Sequence, residues 1–66
     1  MDTGDSPGHR LAEFRKQKRL SQRALSQQLG FSGGRVSQIE SGYSTPSHDF
    51  LSALTNTYGV SADWLL

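Results

Sequence analysis

The sequence predicts an all-α fold of five short helices, and three observations carry that prediction. Apolar side chains recur three and four residues apart, never in the alternation that a half-buried strand needs. The β-branched aliphatic residues are few, namely Val36, Ile39 and Val60. Gly30, Gly42 and Gly59 each follow a segment with helical spacing of apolar residues, where a left-handed residue commonly ends a helix. At 66 residues and 7.3 kDa the chain has interior for one small core only. Leu, Ile, Val and Phe make up about a fifth of it, close to the ~20% below which chains tend to stay disordered. With no cysteine, neither disulfides nor a thiolate metal site can reinforce so thin a core, and helix packing must do so.

The elements follow in order. Met1–Gly8 (MDTGDSPG) holds one apolar side chain and two Asp, too little to repay ordering, and is expected to be a flexible leader, residues 1–8. The helical domain then spans residues 9–66. A first helix over His9–Lys18 places Leu11 and Phe14 on one face with Arg15 beside them, and Leu20 tucks into the core after it. Ser21 is a good N-cap for a second helix, Gln22–Leu29, with Leu25 and Leu29 one turn apart. Gly30, Phe31 and Ser32 form a turn, and Ser32 is expected to cap a third helix, Gly33–Glu40, with Val36 and Ile39 inward. After Gly42 and a Ser/Thr/Pro connection, a fourth helix starts at Pro46 or Ser47, capped by Thr45 or Ser47. Asp49 is well placed in its first turn, and Phe50, Leu51, Leu54 and Tyr58 dock it on the core. Beyond Gly59, Ser61 caps a last helix over residues 62–66, in which Trp64 is read as core rather than as an exposed contact residue.

Placement gives the charge its meaning. All seven basic residues lie between positions 10 and 35 with Glu13 as the only acid among them, a local +6 in a chain of net charge +1. One basic face offered to a polyanion accounts for this, and so, on charge alone, does a solvated helix face. Enzyme chemistry is a poor fit, because His9 and His48 are isolated, no carboxylate pair is close, and little room remains for a cleft. Metal binding fails for the same reason, and no cofactor is expected. No apolar run is long enough for a membrane span or a signal-peptide core, so a cytoplasmic protein of a prokaryotic cell or phage-infected host is expected.

Two helices of about eight residues joined by a short turn with Gly at the bend have helix-turn-helix geometry. Counting Gln22 as the first of twenty residues, Leu25, Leu29, Phe31, Val36 and Ile39 fall at the fourth, eighth, tenth, fifteenth and eighteenth places, with Gly30 ninth. The stretch LSQRALSQQLGFSGGRVSQIESG, with the later GVSADWLL, resembles the phage-repressor and Cro type of helix-turn-helix DNA-binding domain, lambda-repressor-like and of the XRE family. The resemblance covers roughly residues 9–66 and implies a compact five-helix domain whose third helix lies in the DNA major groove.

It also implies roles. Gln22 should donate to a phosphate, and Arg15 and Glu40 match a structural salt bridge between the first and third helices. Phosphate contacts beyond Gln22 fall to Arg10, Arg23, Ser32, Ser41, Tyr43 and Ser44, where Tyr43 replaces the Lys or Arg frequent in relatives. Gly33 and Gly34 occupy base-contact positions but carry no side chain. They either allow close approach of the helix terminus or are free of base-reading demand. Base reading then falls to Gln38, suited to adenine, to Arg35, suited to guanine or else a phosphate clamp, and more weakly to Ser37. Ser26 stands where the family prefers Ala, and its hydroxyl is expected to bond the carbonyl one turn back.

The function implied is a sequence-specific transcriptional regulator, a repressor by preference, bound as a homodimer to a pseudo-palindromic double-stranded operator. A further C-terminal oligomerisation or effector domain is expected beyond residue 66. The alternative on the same fold is an antitoxin or protein-interaction module.

Overall fold

A computed structural model describes residues 6–65, and all statements of structure refer to these. Five helices follow one another: α1 (Pro7–Gln17), α2 (Gln22–Gln28), α3 (Arg35–Glu40), α4 (His48–Tyr58) and α5 (Ala62–Leu65). The third packs against both α1 and α2, while α5 closes on α1 and α4. Leu11, Phe14, Leu25, Leu29, Val36, Ile39, Phe50, Leu54 and Leu65 form the single core, so every helix sends at least one side chain into it. The domain measures 32 × 21 × 21 Å along its principal axes.

The first helix begins earlier than expected. Ser6 is its N-cap, with Oγ accepting from the His9 N–H at 3.1 Å, and Pro7 follows as the first helical residue, where its fixed φ is pre-organised. Of the expected leader, Ser6 caps α1, and Pro7 and Gly8 lie within that helix. Residues 1–5 lie outside the described residues, whereas Ser6–Gly8 belong to the domain. Gly8 is buried where α1 crosses α3, and a Cβ there would stand 2.5 Å from the Ile39 carbonyl oxygen and 2.8 Å from that of Glu40. Only a bare backbone permits this crossing.

Two helix ends share one device. Leu20 N–H donates to Arg15 O and Arg19 N–H to Lys16 O, with Arg19 left-handed at φ 58° between them. At the bend of the helix-turn-helix, Phe31 N–H donates to Ser26 O and Gly30 N–H to Gln27 O, with Gly30 at φ 86°. The second of these turns redirects the chain toward α3. Ser26, buried at the α2–α3 crossing, accepts from the Val36 N–H at 2.9 Å. The expected donation to the carbonyl one turn back is not formed; the hydroxyl serves instead as acceptor for Val36 N–H, which lies in the first turn of α3 and has no carbonyl of its own helix.

The third helix is shorter than expected. Gly33 and Gly34 form a turn, Gly34 is the N-cap, and Ser32 contributes its carbonyl, not its hydroxyl, as acceptor for Arg35 N–H at 3.2 Å. Helix α4 takes Ser47 as its cap, whose Oγ accepts from Phe50 N–H at 3.2 Å. Ser61 serves α5, accepting from Asp63 N–H at 3.1 Å. The core residue of α5 is Leu65, fully buried, whereas Trp64 remains 41% exposed and packs edge-on with Phe14, ring centroids 5.6 Å apart. The reading of Trp64 as core is thus corrected: four residues of helix can turn only one large side chain inward here.

Gly8→Ala should destabilise the domain by about 1–3 kcal/mol through overpacking. Gly34→Ala, where a Cβ meets nothing within 4 Å, should change stability by less than about 1 kcal/mol, because the gain from a less flexible unfolded chain is offset by the poor standing of Ala at an N-cap. Thermal melts of the two variants check the contrast. Ser26→Ala leaves the Val36 N–H without its partner and should cost about 1–3 kcal/mol in urea titration.

Candidate nucleic-acid interface

Three helices meet at the Glu40 carboxylate. From α1, Arg15 donates through Nε to Oε2 at 2.7 Å and through Nη2 to Oε1 at 3.2 Å. From the first turn of α2, Gln22 Nε2 donates to Oε1 at 2.9 Å. The third Arg15 nitrogen, Nη1, donates to the Leu20 carbonyl at 2.9 Å and so ties the α1–α2 connection to the same point. The hydrogen bond to Glu40 raises the Arg15 guanidinium above its already high ordinary pKa, with burial opposing the shift. The structure therefore brings Arg15 and Glu40 together as an ion pair whose side chains are only 15% and 8% exposed. Gln22, expected to face phosphate, holds Glu40 with one of its amide hydrogens.

The helix-turn-helix proper is α2, the Gly30 bend and α3. On α3, Gln38 is exposed and Ser37 half-buried. Arg35 is half-buried, its guanidinium carbon 4.8 Å from the centre of the Phe31 ring and Nη1 3.5 Å from Ser47 Oγ. That stacking turns Arg35 toward the bend and the start of α4, so its side chain is engaged within the protein. Gly33 and Gly34 lie in the turn before α3, Gly34 in open space and Gly33 under the Arg23 side chain.

The loop after α3 gathers the remaining polar residues. Ser41 Oγ donates to Gln38 O at 3.1 Å, Ser44 N–H donates to the same carbonyl at 3.2 Å, and Tyr43 stands out at 82% exposure. Ser32 is exposed at the other end of α3. Arg10 is placed elsewhere. Its Nη1 donates to the Leu65 carbonyl at 3.3 Å, so it fastens α5 onto α1 instead of flanking α3. This placement has a simple cause: Arg10 is two residues from Gly8, about 200° round the helix from the face that meets α3. Lys18 lies over the Phe14 and Tyr58 rings at 5.6 and 5.8 Å, a contact that sequence reading missed because Tyr58 is distant in the chain.

A bent pair of helices with an exposed polar face on the second and a polar loop behind it defines a helix-turn-helix nucleic-acid-binding domain. The helix-turn-helix family model matches residues 11–65. The chain is 38% identical over 60 residues to the HTH-type transcriptional regulator PuuR of Escherichia coli (strain K12), covering 91% of this chain and 32% of that protein. It is 36% identical over 61 residues to the HTH-type transcriptional regulator ImmR of Bacillus subtilis (strain 168), covering 92% and 48%. No solved structure matches significantly. The chain belongs to the helix-turn-helix family of Cro/C1 type, and its five helices have the lambda-repressor arrangement. The family and these relatives are those of DNA-binding transcription regulators, not of enzymes. The chain spans 32% of the length of PuuR and 48% of that of ImmR.

Arg15→Ala and Glu40→Ala should each cost up to about 3–5 kcal/mol, because each leaves a charge without its partner in a partly buried place. The double variant should lose clearly less than the sum of the two. Urea denaturation of all three checks this coupling.

Proposed function

We propose that the domain represses transcription as a homodimer on a pseudo-palindromic operator, with α3 in the major groove and α2 across the backbone. The observation that carries this reading is the exposed polar face of α3, centred on Gln38, presented by a bend that its own hydrogen bonds hold rigid. Gln38 reads a base edge, adenine being its bidentate partner, and Ser37 contributes from the same face. Arg35, stacked on Phe31, is a base reader only if it swings away, and its present contacts favour a phosphate beside the bend. Gln22 keeps one amide hydrogen on Glu40 and offers the other to a phosphate. Arg23, Ser32, Ser41, Tyr43 and Ser44 complete the backbone contacts.

Dimerisation is supported by size, since a single module buries too little DNA surface for high specificity. More than half of the length of PuuR and of ImmR lies outside the matched segment, room for an oligomerisation or effector domain. Among the described residues no helix is long and apolar enough to cross a membrane, which agrees with work on DNA in the cytoplasm.

Selection from a random-duplex pool, followed by gel shift at about 50 mM salt, tests the reading, because non-specific affinity is greatest at low salt. A palindromic preference is the expected result, and absence of any shift would overturn it. Gln38→Ala should reduce discrimination between selected and unselected duplexes by about 1–3 kcal/mol, whereas Arg23→Ala should weaken binding to both alike.

A further inference from the structure

The two glycines before α3 are not equivalent. A Cβ at Gly34 meets nothing within 4 Å, whereas one at Gly33 would stand 3.2 Å from Arg23 Cγ, 3.6 Å from Nε and 3.7 Å from Cδ. Arg23, in the first turn of α2, thus lays its stem across the bare face of the Gly33 backbone. Its side chain is exposed, and the guanidinium forms no hydrogen bond or ion pair with another described residue. The contrast with other cations is plain: Arg15 is held by Glu40, Arg10 by the Leu65 carbonyl, and Arg35 by Ser47 and Phe31. Arg23 has its stem positioned and its head unpartnered.

We propose that Gly33 is a positioning residue for Arg23. The missing side chain leaves a seat across which Arg23 reaches the N-terminal end of α3, presenting its guanidinium to a DNA phosphate there. Two helices then deliver one contact: α2 supplies the cation and the turn before α3 supplies the track. The glycine at 33 is required for what lies on it, not for close approach of the helix backbone to DNA. A side chain with its rotamers already restricted loses less entropy on binding, which is the advantage of a seat over a freely swinging arginine. This inference rests on the DNA-binding reading above.

A thermodynamic cycle tests it, using the full chain and a duplex selected for it, with anisotropy measured at several salt concentrations. Arg23→Ala should weaken binding and lower the salt slope by about one, as expected for one lost phosphate contact. Gly33→Leu fills the seat and should weaken binding about three- to tenfold in the parent, yet scarcely at all when Arg23 is already Ala. Melting curves establish that the variants fold. Should Gly33→Leu fail to fold, Gly33→Ala replaces it in the cycle, with a smaller loss that again vanishes without Arg23.

Equal losses at residue 33 with and without Arg23 would overturn the proposal in favour of backbone approach. Parent-like binding by the residue-33 variant would overturn it too. So would an Arg23→Ala loss confined to particular sequences with an unchanged salt slope, the mark of a base contact. A parent chain that binds no duplex at any salt removes the DNA reading and this proposal together, a result distinct from a parent that binds but is indifferent to residue 33.

Discussion

One carboxylate organises the domain. Glu40 stands at the end of α3, receives Arg15 from α1 and Gln22 from α2, and lies beside the backbone contact that only Gly8 allows. Such a group is costly to desolvate, and it is tolerable here because both oxygens are bonded and one partner carries the opposite charge. Apolar packing alone would let short helices slide on one another. A fixed fork of donors on a fixed pair of acceptors does not, so the angle between α2 and α3 follows from chemistry at their far ends as well as from the Gly30 bend.

The same carboxylate reaches the interface. Because Gln22 is bonded to it, the first side chain of α2 is oriented before any ligand arrives, and the fold and the proposed backbone contact share a hydrogen-bond network. Ser26 plays a parallel part on the other side, holding the Val36 N–H and with it the first turn of α3. A helix of six residues has little stability of its own, so its placement depends on these two anchors and on Val36 and Ile39 in the core.

The basic segment is less uniform than its charge of +6 suggests. Arg10, Arg15, Lys18 and Arg35 all have partners within the protein, an end carbonyl, a carboxylate, two aromatic rings, and a ring with a hydroxyl respectively. Much of the positive charge therefore serves assembly. With the cations so divided, a few well-placed contacts and a second copy on the DNA matter more to the proposed binding than bulk electrostatic attraction.

The sequence by itself determined the all-α class, the order of the helices, the caps at Ser21 and Ser61, and the left-handed bend at Gly30, while the α4 cap was narrowed to Thr45 or Ser47 and the structure selects Ser47. These depend on residues within a turn or so of one another, whose hydrogen bonds close locally. The twenty-residue pattern made the helix-turn-helix legible for the same reason, and resemblance supplied the Arg15 and Glu40 pairing. The N-terminus was legible in principle, since Ser6-Pro7 is a start signal and Gly8 is three residues before Leu11 on one face, but its acidity and Gly/Pro content masked this. Only the tertiary structure decided that Gly8 is a helix crossing, that Arg10 of α1 bonds to α5, that Leu65 and not Trp64 enters the core, and that Gly33 lies under Arg23. Each is a contact between segments whose mutual angle is set by the packing of the whole, and no local spacing encodes that angle.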